Sequence, residues 1–471
     1  MPFPTLRSVL LCALAACPAA AGARPAAVPL KLEPYSFRLA DGTDLPAERG
    51  TFSVPEDRND PGSRRIEIGF LRFRSTAAHP GNPIVYLAGG PGGSGIAAAR
   101  EQRQPLFLAL RRVADVIALD QRGVGVSNHI PPCTAERRLD PAVPLGEASL
   151  TAYYRETLLG CVTRWKAAGV AVNGYTTVQN ADDLEDLRKA LGARKIDLWG
   201  ISYGTHLAFA AMRRHPRSIG RVALASAEGM DQTVKLPAHV DAAFARIERV
   251  APGIAATMRR VYGRYDSEPG RFTLPGGKLA LRADSFPLRM MAGILPKDPE
   301  GIPRLVGAFQ ALDSGRTEAL SPLLYGYFFK DPLTMTGMPE LMDVASGITA
   351  ARLALVRRQA AVSLAGAATN FPMPQLRGAV PGLDLGDAYR REIRSSIPTL
   401  LLSGDLDVRT PLEEQAEATA GLTRFHRILV RNGGHDLFEA HPAVAGILVD
   451  FFSGRAVRTT EISLSPPRPG R

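Results

Sequence analysis

The chain has 471 residues, enough for two or three domain-sized units or for one large fold with an insertion. Its 45% hydrophobic and 22% charged residues are ordinary for a soluble globular enzyme. The formal charge of +11 is spread over scattered basic residues, at most pairs such as Arg64-Arg65 and Arg357-Arg358. No RNA-binding signature or zinc-finger spacing accompanies them, so no nucleic-acid partner is expected.

Residues 1–23 read as an export leader. Arg7 supplies a positive region, Ser8 to Ala16 an apolar one, and Ala21-Gly22-Ala23 a small-residue cleavage site. Leu14-Ala15-Ala16-Cys17 also resembles a bacterial lipobox, in which Cys17 would be lipidated and become the new N-terminus, although Pro18 follows it directly. No later run is long and charge-free enough to span a bilayer. The expected location is therefore periplasmic or secreted, with a lipid anchor at Cys17 as the route to a membrane. Of the four cysteines, Cys12 and Cys17 fall in the leader. Cys133 and Cys161 remain, an even number in a chain bound for an oxidising compartment. A disulfide between them is expected, worth about 3 kcal/mol through loop closure.

After the leader, Gly50 to Val54 and Ile66 to Arg74 alternate apolar with polar residues around the turn-rich segment Pro55 to Gly62, which predicts an antiparallel pair. Pro83 to Leu87 is the next strand and runs into Ala88-Gly89-Gly90-Pro91-Gly92-Gly93-Ser94-Gly95. A helix over Gln104 to Arg112 leads to the buried strand Asp115 to Leu119, which ends in Asp120-Gln121-Arg122-Gly123-Val124-Gly125-Val126-Ser127. Asn180 is placed to cap a helix over Ala181 to Leu191, with acids in its first turn and Arg188 and Lys189 in its last. The strand Lys195 to Trp199 and the small-residue helix Tyr203 to Arg214 follow, then the strand Arg221 to Ser226. Strands alternating with helices at this spacing mean a mostly parallel α/β sheet covered on both faces.

Between Met230 and Ile397 strands give way to amphipathic helical stretches such as Ala238 to Val250, Pro303 to Leu312 and Thr349 to Ala365. That pattern predicts an inserted helical cap, too apolar for a disordered linker. Sheet character returns with Thr399 to Leu402 and Phe425 to Val430, and a helix over Pro442 to Phe452 closes the fold. The predicted division is leader 1–23, first part of the sheet domain 24–232, cap 233–395, second part 396–458 and a disordered tail 459–471.

The strand-to-helix turn at Gly200-Ile201-Ser202-Tyr203-Gly204 has the Gly-x-Ser-x-Gly pattern of a nucleophile elbow, where flanking glycines relieve a strained serine. By itself it could be an ordinary turn. Ligands in such sheets bind beyond the carboxyl ends of strands, and the other required groups sit there too. The strand ending at Leu402 feeds Ser403-Gly404-Asp405-Leu406-Asp407, with Thr410-Pro411 beyond, and supplies an acid. The strand ending at Val430 feeds Asn432-Gly433-Gly434-His435 and supplies a base. Ser202 is then the nucleophile, His435 its base and Asp407 the group that orients the imidazole, with Asp405 as the alternative acid. Backbone N–H groups of Tyr203 and Gly90 are expected to form the oxyanion hole. The glycine loop lacks the Lys and Ser/Thr of a P-loop, and there is no His-Glu-x-x-His or similar ligand spacing, so no metal or cofactor is expected.

Gly89-Gly90-Pro91-Gly92, Asp120-Gln121-Arg122-Gly123-x-Gly125-x-Ser127, Gly200-x-Ser202-Tyr203-Gly204-Thr205, Asp407-x-x-Thr410-Pro411 and Gly434-His435 resemble the proline iminopeptidase and tripeptidyl aminopeptidase family of α/β-hydrolases. Arg49-Gly50-Thr51-x-x-Val54-Pro55 resembles its exported, tripeptidyl-aminopeptidase-like branch. Ala88 departs from the His that the iminopeptidases usually carry before the glycines. The resemblance implies Ser202, Asp407 and His435 as a triad, Gly90 and Tyr203 as the oxyanion hole, and a peptide substrate with a free N-terminus. An exopeptidase needs a carboxylate for that ammonium. Glu228 is best placed, with Glu340 and Asp343 of the cap as further candidates. Tyr325, Tyr327, Phe328 and Phe329 could line the substrate pocket, with the cap core as their expected place. A carboxylesterase or lipase using the same triad, and a non-enzymatic binding protein on this fold, are the competing readings.

Overall fold

The computed structural model describes Met1, residues 29–277 and residues 279–467. The leader and the Cys17 lipobox lie outside the described residues. A ten-stranded sheet forms the body, in the order β1-β2-β3-β5-β4-β7-β8-β12-β13-β14. The strands are β1 (Leu30–Arg38), β2 (Asp44–Pro55), β3 (Arg65–Phe73), β4 (Ile84–Leu87), β5 (Val116–Leu119), β6 (Cys133–Thr134, outside the main sheet), β7 (Ile196–Ile201) and β8 (Ile219–Ala225). Then come β9 (Gly270–Thr273), β10 (Ala280–Ala283), β11 (Thr334–Met335), β12 (Thr399–Gly404), β13 (Phe425–Arg431) and β14 (Glu461–Ser463). The first three strands pair antiparallel, β3 joins β5 antiparallel, and every pairing from β5 to β14 is parallel.

The short central strands are apolar along their whole length because each faces two cores. In β4, Val85 and Leu87 enter one core while Ile84 and Tyr86 enter the other. A strand buried on both faces cannot show alternation, which is why its signal is a continuous apolar run. Helices Thr177–Ala190 and Tyr203–Arg214 cover the first face, and helices Gln104–Leu110 and Ala443–Phe452 cover the second.

β8 pairs directly with β12, so Leu401 lies beside Leu224 although the cap helices intervene in the chain. Those helices build cores of their own over the strand ends. Here the structure departs from the sequence reading. Strands do not vanish in the insertion: β9 and β10 form a hairpin, and β11 pairs with β6, which precedes the insertion. A 21-residue helix, Glu147–Ala167, buries Leu150, Tyr153, Leu158, Cys161 and Trp165 at helical spacing, and its lower half packs into a core with Val344 and Met373 of the insertion. The cap is thus built from both sides of β7, and not from 233–395 alone. Cys161 on this helix is disulfide-bonded to Cys133 on β6, as expected.

Two smaller corrections follow. Thr176, whose hydroxyl accepts from the Gln179 N–H, caps the helix expected to start at Asn180, and Asn180 lies inside it with its amide donating to Gln121 Oε1 at 2.7 Å. The tail, expected to be disordered, adds β14 beside β13, with Ile462 buried. Residues 468–471 lie outside the described residues.

Candidate active site

β4, β7, β8, β12 and β13 all point the same way, so their carboxyl ends form one edge, and the predicted residues gather there. Ser202 sits between β7 and the helix Tyr203–Arg214 at φ 54° and ψ −126°. A side-chain-bearing residue held in such a conformation costs about 1–3 kcal/mol, so the surroundings must enforce it. The Ser202 N–H donates to Ala225 O at 3.1 Å, and the Thr205 N–H and hydroxyl both donate to Ser202 O, at 2.8 and 2.7 Å. A methyl group on Gly204 would stand 2.1 Å from Leu87 O, and one on Gly200 2.8 Å from Gly204 O. Only glycines allow the turn to close this tightly.

His435 is 7% exposed, on the loop after β13, with Nδ1 3.0 Å from Asp407 Oδ2. Asp407 also accepts from the N–H groups of Arg409 (2.7 Å) and Thr410 (2.9 Å) and from the Thr410 hydroxyl (2.6 Å). Burial raises the Asp407 pKa, but the imidazole's proximity and hydrogen bond, with those from Thr410, outweigh it and hold the carboxyl below its usual range. Asp405, the alternative acid, is turned away and accepts from the Asn432 N–H at 2.7 Å, pinning the turn before His435. The sequence marked Thr410 only as part of a motif and Ser226 only as a strand end, with no role for either side chain. The Ser226 hydroxyl donates to His435 O at 2.6 Å, while the His435 N–H donates to Lys297 O of the cap at 2.8 Å.

Ser202 and His435 line one cavity of about 490 Å³. No hydrogen bond joins them here; substrate-free hydrolases commonly close that contact only when substrate is bound. The glycine loop passes directly over Ser202, since a methyl group on Gly89 would stand 3.0 Å from Ser202 Cβ. The N–H groups of Gly90, at φ 121°, and Tyr203, in the first helical turn, donate to no protein acceptor among the described residues. The loop after β5 clamps this one. Asp120 accepts from the Ser94 hydroxyl and the Ile96 N–H, and the Gln121 amide donates to Ala88 O at 3.0 Å. Buried Arg122 ties the clamp to Asp183 and to the carbonyls of Glu56 and Gly174.

Beside the cavity, with Gly90 and Phe371 lining both, lies a chamber of about 160 Å³ walled by Glu228, Lys235 and Asp343 among others. Glu228 is 6% exposed and ion-paired with Lys235, so its charge is already met. Asp343 makes no side-chain hydrogen bond among the described residues; burial, with the like charge of Glu228, pushes its pKa up to about 8. Tyr327, expected in the cap core, lines the cavity instead, whereas Phe328 and Phe329 do pack in that core. A larger cavity, about 730 Å³, lies elsewhere in the cap, and none of the predicted site residues lines it. A cluster of metal-ligating type, His239, Glu414 and Glu417, is spanned by Arg352, which takes both carboxylates.

The strand order is that of the α/β-hydrolase fold: residues 82–262 match the alpha/beta hydrolase fold model and residues 386–460 match the TAP-like protein model. Among named relatives, it is 32% identical over 174 residues to the tripeptidyl aminopeptidase of Streptomyces lividans, covering 34% of this chain and 32% of that protein. It is 31% identical over 178 residues to the serine protease Hip1 of Mycobacterium tuberculosis, covering 36% of this chain and 34% of that protein. The chain thus matches about a third of the length of these relatives. Among solved structures, Rv0554 from Mycobacterium tuberculosis aligns with a TM-score of 0.40 at 16% identity, covering 86% of this chain and 100% of that one.

Proposed function

We propose that this protein is an exported serine aminopeptidase that releases residues or short peptides from free peptide N-termini through an acyl-enzyme. The observation that carries the reading is the shared cavity: strained Ser202 and Asp407-held His435 face it together, and it leads to Glu228 and Asp343. In this reading Ser202 Oγ attacks the scissile carbonyl as His435 Nε2 takes its proton. The Gly90 and Tyr203 N–H groups receive the charge forming on the carbonyl oxygen, and losing one such donor costs about 3 kcal/mol of barrier. Collapse breaks the C–N bond, and His435 returns the proton to the leaving amine. Water then attacks the ester with His435 again as base. Asp407 keeps the Nδ1–H tautomer and stabilises the imidazolium.

The carboxylate pair Glu228 and Asp343 receives the substrate ammonium. Lys235 already balances Glu228, and Asp343, whose pKa burial lifts to about 8, gives its proton to solvent as the ammonium arrives and then balances that cation. The hydrolase domain comprises 24–232 and 396–458 with β14 added, while the helix Glu147–Ala167 joins the insertion 233–395 in the cap. Export is supported by the leader-like residues 1–23 and by the disulfide.

Free-amine and N-acetylated peptide anilides, assayed beside short acyl esters, test the reading. Cleavage confined to free-amine peptides is expected; hydrolysis of esters alone would make the protein an esterase. A fluorophosphonate probe should label the wild type and not Ser202→Ala, and no labelling of either would leave a binding protein.

A further inference from the structure

A third chamber, of about 190 Å³, lies beyond Asp343, and no role has been assigned to it so far. We propose that it receives the side chain of the substrate's N-terminal residue and selects a large apolar or aromatic one. The inference rests on the aminopeptidase reading and deepens it.

The three spaces adjoin one another. The reaction cavity shares Gly90, Thr369, Phe371 and Arg409 with the middle chamber, and Tyr327 and Phe371 with the third. The middle chamber shares Asp343, Phe371, Pro372 and Met373 with the third. Neither Ser202 nor His435 lines the middle or third chamber, so a side chain held in the third lies to one side of the reacting carbonyl.

Asp343 stands where the middle and third chambers meet, so an ammonium on it sets the substituents of the same Cα at the third chamber. The walls there are Tyr154, Leu333, Met335, Val344, Met373 and Leu376. Met335, Val344 and Leu376 are each 1% exposed, so the surface offered is a rigid apolar one. Glu340 also borders the chamber, but its Oε2 accepts from the Gly337 N–H at 2.9 Å and is committed to capping its own helix. Burial holds the Glu340 pKa above its usual range. A small or polar side chain would leave this surface unfilled or lose its water without replacement. A lysine reaching for Glu340 is the competing occupant.

The test uses the full chain and octapeptides differing only at the first residue (Phe, Leu, Gly, Asp or Lys), each free or N-acetylated, with products read by mass spectrometry. Phe and Leu peptides should exceed Gly and Asp in kcat/KM by about tenfold or more. Val344→Phe, which fills the chamber, should bring the Phe-to-Gly ratio down to about unity. Leu333→Ala removes part of a wall at a half-buried residue that lines neither of the other two spaces, and should lower the same ratio. Fluorophosphonate labelling shows that each variant is folded; if Val344→Phe is not, Leu333→Ala decides. Equal rates at every first residue, a preference for Lys, or variants that slow all peptides in proportion would overturn the proposal. Cleavage of acetylated peptides at the free-amine rate would overturn the aminopeptidase reading itself. A strict amine requirement with indifference to the first residue would remove only the pocket.

Discussion

The sheet edge and the cap solve different problems with different materials. At the edge, each chemical group hangs from the end of a parallel strand whose register is fixed: Leu87 lies beside Gly200, and Ile201 beside Ala225, which lies beside Leu402. The ladder places Ser202, Asp407 and His435 with little freedom. In the cap, Asp343, Tyr154 and Met335 come from a helix, a second helix far earlier in the chain and a two-residue strand. A two-residue pairing of β6 with β11, a disulfide and side-chain packing join them, with no long ladder. In the proposed reading the edge sets what reaction is run, and the cap sets what is admitted to it.

The largest effect should separate two acids at the edge. Asp407→Asn should lower kcat by about 10⁴-fold through loss of the imidazole's orientation. Asp405→Asn, which loosens a turn and touches no imidazole, should cost less than about tenfold. Similar losses in both would mean that the Asp407–His435 contact has no special part in the reaction. The next test breaks the cap and spares the edge. Replacing Cys133 and Cys161 by Ser should destabilise the protein by about 3 kcal/mol, measured by denaturant melting under non-reducing conditions. The walls at Tyr154 and Met335 should loosen, so discrimination between first residues falls while probe labelling of Ser202 persists. Loss of labelling in a folded variant would show that the two regions are not separable.

The last effect, the smallest when taken per pH unit, concerns stability against pH. Folded Asp343 titrates at about 8, far above an unfolded carboxyl at 3.8, so between those values the folded state binds the extra proton. Stability should then fall as pH rises from 4 to 8, with a slope of up to about 1.4 kcal/mol per pH unit from this group. Asp343→Asn should flatten that slope, seen as Tm against pH, while the contribution of Asp407 is untouched. Asp407 has the opposite sign: its depressed pKa stabilises the fold above the ordinary carboxyl range and is lost as acid protonates it.

The glycines at 200 and 204, the serine between them, the acid two residues beyond Asp405 and the histidine after Gly433-Gly434 were legible in the sequence. Strand ends and tight turns leave local marks: continuous apolar runs, then residues that only certain backbones tolerate. The choice of Asp407 over Asp405 needed the family resemblance, because both follow the same strand. The sequence by itself determined the parallel sheet, the place of the site at its carboxyl edge and the pairing of the cysteines. Only the tertiary structure decided that the helix Glu147–Ala167 belongs with the cap, that Lys235 neutralises Glu228, and that Asp343 and Tyr327 face the cavity. Those facts depend on which faces of distant helices meet, and the period of an amphipathic helix names its buried face without naming what the face is buried against.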